Sequence, residues 1–120
     1  LSNFNGSVYH ETPIKNALTL DDNASTFRNA LDPFTNNPVQ YDNQRETHIE
    51  IDYCIVRDTA KRRGTLTVES TPTNVVFSDE FVENASTGVT LKVNASGILQ
   101  YKTTSTGDTA QMKYRFKVLT

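Results

Sequence analysis

Apolar and polar side chains alternate most clearly from Thr47 to Ser70, THIEIDYCIVRDTAKRRGTLTVES, where Ile49, Ile51, Tyr53 and Ile55 recur at every second position with His48, Glu50 and Asp52 between them. A period of two is that of a β-strand with one apolar face. From Tyr53 to Val56 four non-polar side chains follow one another, which predicts a strand running from a half-exposed end into a region covered on both faces, central in its sheet. The polar stretch Arg57 to Gly64 then reverses the chain, with Gly64 available for any positive φ in the return. Leu66 and Val68 resume the two-residue period and complete a hairpin.

Downstream, Pro72 ends this hairpin, and Val75, Phe77 and Phe81 predict a strand with a bulge or turn at Ser78-Asp79-Glu80. Val89, Leu91 and Val93 alternate with polar residues, Ala95-Ser96-Gly97 turns the chain, and Leu99 and Tyr101 step back through Ile98 to Thr103 as a second hairpin. After a turn at Thr104 to Asp108, Ala110, Met112, Tyr114, Phe116 and Val118 face one way and Gln111, Lys113, Arg115 and Lys117 the other. Upstream the pattern is thinner. Ser7 to Glu11 fits a short edge strand, Pro13 interrupts it, and Ile14, Leu18 and Leu20 mark a second strand ending at Asp21-Asp22-Asn23. Ala24 to Leu31 fits either two helical turns with Asn23 as N-cap or a loop with a strand fragment. Asp32-Pro33 and Asn36-Asn37-Pro38 predict a surface loop leading into the central strand.

About seven to nine strands with turn clusters every ten residues or so make the expected architecture an all-β, antiparallel two-sheet β-sandwich, jelly-roll-like in type. Its core is expected on Ile49, Ile51, Tyr53, Ile55, Leu66, Val68, Leu91, Val93, Leu99, Tyr101, Met112, Tyr114 and Phe116. At 120 residues the chain is the size of one domain, residues 1–120, without internal repeat. An apolar fraction of 36% beside abundant Thr, Ser and Asn favours strands and turns over helix interiors. A net charge of −2 gives no broad electrostatic reason to expect nucleic acid or an anionic membrane, and no apolar run reaches the ~20 residues of a membrane helix. Lacking an initiator Met and a charged-then-apolar leader, the chain is expected to be a fragment or processed piece. Cys54 stands alone, which excludes an intramolecular disulfide, and its place in the densest apolar stretch predicts a buried small hydrophobe.

Three constellations bear on chemistry. His48, Glu50 and Asp52 share one strand face, spaced so that two of them reach one metal ion, but the same pattern suits a polar face paired with Lys and Arg of a neighbouring strand. Asp79, Glu80 and Glu83, and separately Asp21 and Asp22, offer carboxylates for a hard cation or a glycosidase pair, against a plain role as solvated turn acids. Arg57, Lys61, Arg62 and Arg63 concentrate positive charge at the expected hairpin tip. Arg forks there suit phosphate or carboxylate of a cell-surface glycan, whereas charge at a hairpin end also serves solubility and edge protection. The Asn-x-Ser triplets at Asn5, Asn23, Asn84 and Asn94 read as turn chemistry before glycan acceptors.

IEIDYCIVRDTAKRRGTLTVES, an acidic Asp79-Glu80 segment, GVTLKV and GILQYKTTSTGDTAQMKYRFKVL together resemble the terminal domain of bacteriophage tail fibre and tail spike proteins. Those domains carry an I-E-I-x-Y-x-I-x-R strand, an R-x-G-T-L turn and strand, a G-V-x-L strand and a T-G-x-x-A-x-M-K-Y final strand in this order. The resemblance spans Ile49 to Thr120; Asp58 stands where it leads us to expect Gly or another small residue. It implies a distal domain of a virion fibre or spike that registers three identical chains, follows a fibre shaft, and contacts a host glycan or lipopolysaccharide. Arg57, Lys61, Arg62 and Arg63 are the candidate receptor contacts. It implies no enzyme activity, cofactor, nucleic acid or membrane insertion. The alternatives are a glycan-binding module of non-phage origin, secreted rather than virion-borne, and a glycan hydrolase.

Overall fold

The computed structural model describes residues 9–11, 17–45 and 48–119, and among these every regular element is a strand. They are β1 (Tyr9–Glu11), β2 (Leu18–Leu20), β3 (Arg28–Asn29), β4 (His48–Arg57), β5 (Ala60–Thr71), β6 (Asn74–Glu83), β7 (Val89–Val93), β8 (Leu99–Thr103) and β9 (Ala110–Leu119). Among the described residues no helix is long and apolar enough to cross a membrane. The large sheet runs β1-β9-β4-β5-β6, with β2 pairing the start of β9 as β1 pairs its end, and the small sheet runs β3-β8-β7; all these pairings are antiparallel. The expected two-sheet all-β architecture is therefore the one observed, with the sheets left open rather than closed into a barrel.

β4 is central, between β9 and β5, because its alternating Ile49, Ile51, Tyr53 and Ile55 present one continuous buried row to the small sheet. That row meets Leu66 and Val68 of β5, Met112 and Tyr114 of β9, and Leu91, Val93, Leu99 and Tyr101 from the facing layer. Of the expected core only Phe116 is partly exposed; it packs edge-on to Tyr114 at 5.8 Å near the end of β9. The N-terminal segment is more structural than its punctuation suggested. Ala24 to Leu31 takes the loop-and-strand form, and Ala24, Ala30, Val39 and Tyr41 join the core. Backbone bonds from Ala30 N to Leu99 O and from Leu99 N to Val39 O tie this segment to β8. Gly97, at φ 80°, lies under Tyr41 in the β7–β8 turn, where a Cβ would come within 3.2 Å of the ring.

Four expectations need correction. Cys54 is exposed and Val56 is 42% exposed, so the apolar run Tyr53 to Val56 is covered on the inner face alone; among the described residues the second layer lies on one side of the sheet only. The β4–β5 turn is two residues, Asp58-Thr59, with Arg57 opposite Ala60, and Asp58 itself takes the positive φ of 54°. That conformation is tolerated by Asp, Asn and Gly, which explains why a Gly-like position holds Asp. Gly64 instead lies mid-strand in β5, where Tyr53 crosses it; an added Cβ would meet Glu80 O and Phe81 Cβ at 2.7 Å. Finally, β6 pairs with β5 without interruption from Arg62↔Glu83 to Thr71↔Asn74, so Ser78-Asp79-Glu80 forms neither bulge nor turn. Ser7, Val8, Pro13, Ile14, Thr47 and the Asn5 triplet lie outside the described residues.

Candidate functional site

Strand alternation divides the predicted cationic tip into two pairs. Arg57 and Arg62 face the core, with 3% and 5% of their surface exposed, while Lys61 and Arg63 face outward. Of the four candidate receptor contacts, Arg57 and Arg62 are therefore buried and Lys61 and Arg63 exposed, where a wholly exposed loop tip was expected. Lys61 to Arg63 belong to β5 and not to a loop, so every second side chain must turn inward.

Both inward arginines work as internal ties. Arg57 Nη2 donates to Asp22 Oδ1 and Thr104 O, Nη1 to Thr87 O at 2.9 Å and Nε to Asp108 O at 3.0 Å. One guanidinium thereby joins the end of β4 to three loops, and the planar fork of Arg suits it to serving several carbonyls at once. Backbone amides of Thr106, above all, and Gly107, together with Arg57, hold the Asp22 carboxyl below the usual range. Arg62 Nε donates to Glu83 Oε2 at 2.7 Å and Nη2 to Val89 O at 2.8 Å, and its guanidinium lies 4.0 Å from the Phe81 ring centre. Burial pushes the Glu83 carboxyl up, but Thr87 and Arg62 outweigh it and lower its pKa. Beside this pair Tyr53 Oη donates to Asp79 Oδ1 at 2.6 Å; burial raises the pKa of both groups.

The outward residues form a shallow concavity of about 920 Å³ across β6, β5, β4 and β9. Register sets its rows: Val82, Arg63, Cys54 and Lys113 in one, Glu80, Thr65, Asp52 and Arg115 in the next. Asp52 anchors its centre, accepting from Thr65 Oγ1 at 2.8 Å, Lys117 Nζ at 3.0 Å and Arg115 Nε at 3.4 Å. Its burial is outweighed by the Lys117 and Thr65 hydrogen bonds, so its pKa is lowered. This is the paired polar face foreseen for Asp52, while His48 pairs with Glu69, its cross-strand partner, at 2.7 Å. Among the described residues no group of three His, Cys, Asp or Glu gathers into a metal-binding set.

Lys61, Arg63 and Lys113 have no ion-pair partner among the described residues. At about 7 Å between alternate residues and about 10 Å across two strands, they form a cationic triangle. Such a triangle can take carboxylate or phosphate groups spaced along an extended acidic polymer. The sequence places Lys113 on a polar face but does not join it to the others, because only the β4–β9 pairing brings it beside Cys54. The candidate hydrolytic acids of β6 are dispersed by the same alternation, Asp79 and Glu83 inward on their partners and Glu80 outward. Asn84 and Asn94 serve turns: Asn84 Oδ1 accepts from Lys61 N at 2.7 Å, and Asn94 Oδ1 from Ser96 N and Ile98 N at 2.9 and 3.0 Å.

No protein-family model matches the chain, nor does any curated protein sequence. Among solved structures, its fold is similar to part of the tailspike protein gp49 of Acinetobacter baumannii bacteriophage Fri1, a capsular polysaccharide depolymerase. The TM-score is 0.57 at 16% identity, over 99% of this chain and 19% of that one. The tailspike of Acinetobacter phage vB_ApiP_P1 also aligns, with a TM-score of 0.42 at 15% identity over 96% of this chain and 22% of that one. The chain spans about a fifth of the length of these tailspikes.

Proposed function

We propose that the chain is a subunit-joining and attachment domain of a bacteriophage tail spike, one domain of a longer virion protein that assembles as a homotrimer and meets an anionic host-surface glycan. The observation that carries this reading is the fold likeness to a tailspike segment along nearly the whole chain. The order of strand motifs from Ile49 to Thr120 supports it independently.

Lys61, Arg63 and Lys113 are the glycan contacts in this reading, replacing the four-residue tip. Each is exposed and without an ion-pair partner among the described residues, and Lys61 and Arg63 flank the inward-facing Arg62 on β5. Threefold repetition makes weak contacts sufficient, since three copies engaging a repetitive capsular or lipopolysaccharide surface multiply millimolar affinities by avidity. The domain itself performs no covalent chemistry in this reading; whatever cleavage the longer protein achieves belongs to its other domains.

Sedimentation of the 13.4 kDa chain should give a particle of about 40 kDa. Replacing Lys61, Arg63 and Lys113 together by Ser should preserve melting and native mass while weakening adsorption to host cells, with the loss largest at low salt. Undiminished adsorption would remove the contact from this face. Release of oligosaccharide from host polysaccharide by the isolated chain would overturn the non-catalytic assignment.

A further inference from the structure

The outward column of β4 reads His48, Glu50, Asp52, Cys54, Val56, and only the last two are non-polar. Register sets a cation beside each of them, Arg63 and Lys113 on either side of Cys54 and Lys61 beside Val56. The acids of the column lie elsewhere. Asp52, one step back, already takes Lys117 and Arg115, and Glu50 stands between Thr67 and Lys117. An ordinary solvated sheet face sets its cations opposite carboxylates. Here Lys61, Arg63 and Lys113, without an ion-pair partner among the described residues, border the exposed non-polar stretch instead. Neither feature strengthens the fold: Val56, at 42% exposure, stays largely wet, and like charges gathered without a counter-charge repel one another.

We propose that Cys54 and Val56 are the floor of a subsite for an acidic sugar that carries an acyl group. Its carboxylate sits over Cys54 between Arg63 and Lys113, and its acyl methyl lies on Val56 beside Lys61. That the ligand is a glycan rests on the attachment reading of the three cations; its class rests on the floor. Cys54 lines the shallow concavity together with Arg63, Lys113 and Val82. Its short side chain leaves room above it, with Arg63 and Lys113 each one strand away at about 5 Å, so a carboxylate placed there meets a guanidinium fork on one side and an ammonium on the other. Val56 follows at about 7 Å along β4, a step that one pyranose ring spans with substituents at opposite corners. Asp52 closes the other direction, because Lys117 and Arg115 are engaged there and its own charge repels a second acid. The sugar is thereby oriented, acid toward the middle of the sheet and acyl group toward the β4–β5 turn. A plain uronate would leave Val56 wet, and a neutral N-acetyl sugar would leave the cations without an anion; only a sugar with both groups uses the whole site.

The test is titration of the whole chain with three monosaccharides, N-acetylglucosaminuronate, glucuronate and N-acetylglucosamine, followed through amide chemical shifts, with melting curves as the folding control. N-acetylglucosaminuronate should bind about fourfold more tightly than glucuronate, the worth of one methyl group taken out of water. It should bind at least roughly tenfold more tightly than N-acetylglucosamine, which lacks the acid. Val56→Ser should bring the two acids to equal affinity. Equal affinity already in the parent, with both acids lost when Lys61, Arg63 and Lys113 are replaced together by Ser, would overturn the acyl contact and leave the cationic reading standing. A preference that survives Val56→Ser would overturn the floor. No acid bound at tens of millimolar would overturn the subsite and the cationic reading together, since millimolar contacts are what that reading requires. Should Val56→Ser melt abnormally, Val56→Thr keeps the branched shape and asks the same question with a hydroxyl in place of one methyl.

Discussion

β5 and β6 lie side by side, paired residue for residue over ten positions, yet β5 buries nearly every second side chain and β6 buries none fully. Both carry apolar residues on one face, Leu66 and Val68 against Phe77 and Phe81. The difference is the second layer: the small sheet reaches β5 and stops. Alternation in a sequence therefore announces a strand with an apolar face, while burial of that face is decided by what the rest of the chain lays over it.

The sharpest break of this comparison uses two residues in register on the same face. Val68→Asp should leave no cooperatively folded protein, because an unpaired buried carboxylate costs several kcal/mol of the roughly 5–15 that a domain has. Phe77→Asp, one strand away, should melt close to wild type. If the two variants were equally destabilised by circular dichroism, β6 would be covered in solution even as a monomer.

Second in size is Arg57→Ala, at roughly 3–5 kcal/mol, since it strips donors from Thr87 O, Thr104 O and Asp108 O and leaves Asp22 without its cation. Arg57→Lys should recover only part of this, because a point charge cannot serve four acceptors in one plane. Truncating the outward Arg63 to Ala should change stability by no more than about 0.5 kcal/mol. Urea midpoints of the three variants separate a structural arginine from a solvated one in the same hairpin.

Gly64→Ala tests the seam between β5 and β6 from the covered side. In an ordinary strand Ala would gain about 0.5–1 kcal/mol over Gly. Here its Cβ would sit 2.7 Å from Glu80 O and 2.8 Å from Tyr53 Oη, so a net loss of about 1–3 kcal/mol is expected. A variant as stable as the parent would mean that Tyr53 moves aside freely.

Much of this was legible in the chain. The rows of β4, β5, β7, β8 and β9 stand in the alternation itself, because each has a polar and an apolar face and only one of them is covered. Burial of Arg57 and Arg62 follows from carrying that alternation past Ile55 and ahead of Leu66, had the turn been confined to two residues. What hid it was Gly64, which reads as a turn residue although it is glycine for the sake of Tyr53. Cys54 and Val56 misled in the opposite direction, being non-polar residues on an outer face that none of the described elements covers. The cationic triangle was illegible because Lys113 lies 50 residues from Arg63 and reaches it only through a non-local strand pairing.

The smallest effect expected is that of Asp79→Asn, the one inward carboxyl of β6 held by a neutral partner. Asn keeps an acceptor for Tyr53 Oη, so stability should stay within about 1 kcal/mol of the parent, and the informative quantity is its pH dependence. Burial raises the pKa of Asp79 above its ordinary 3.8, so the folded protein holds this proton more tightly than the unfolded chain. The stability that proton confers is full below the unfolded value and is lost as pH rises through the folded one. Asp22, Glu83 and Asp52 act with the opposite sign: their lowered values confer stability above the unfolded pKa that is lost as pH falls. Subtracting the parent from Asp79→Asn cancels the contributions of Asp22 and Asp52, and that of Glu83 apart from its repulsion of the Asp79 charge, which acts in the same direction as burial. The variant should gain on the parent from pH 4 toward pH 7, measured as the difference in urea midpoint. A difference that is flat, or that runs the other way, would mean that Asp79 is fully solvated and that even the inner face of β6 lies outside the core's influence.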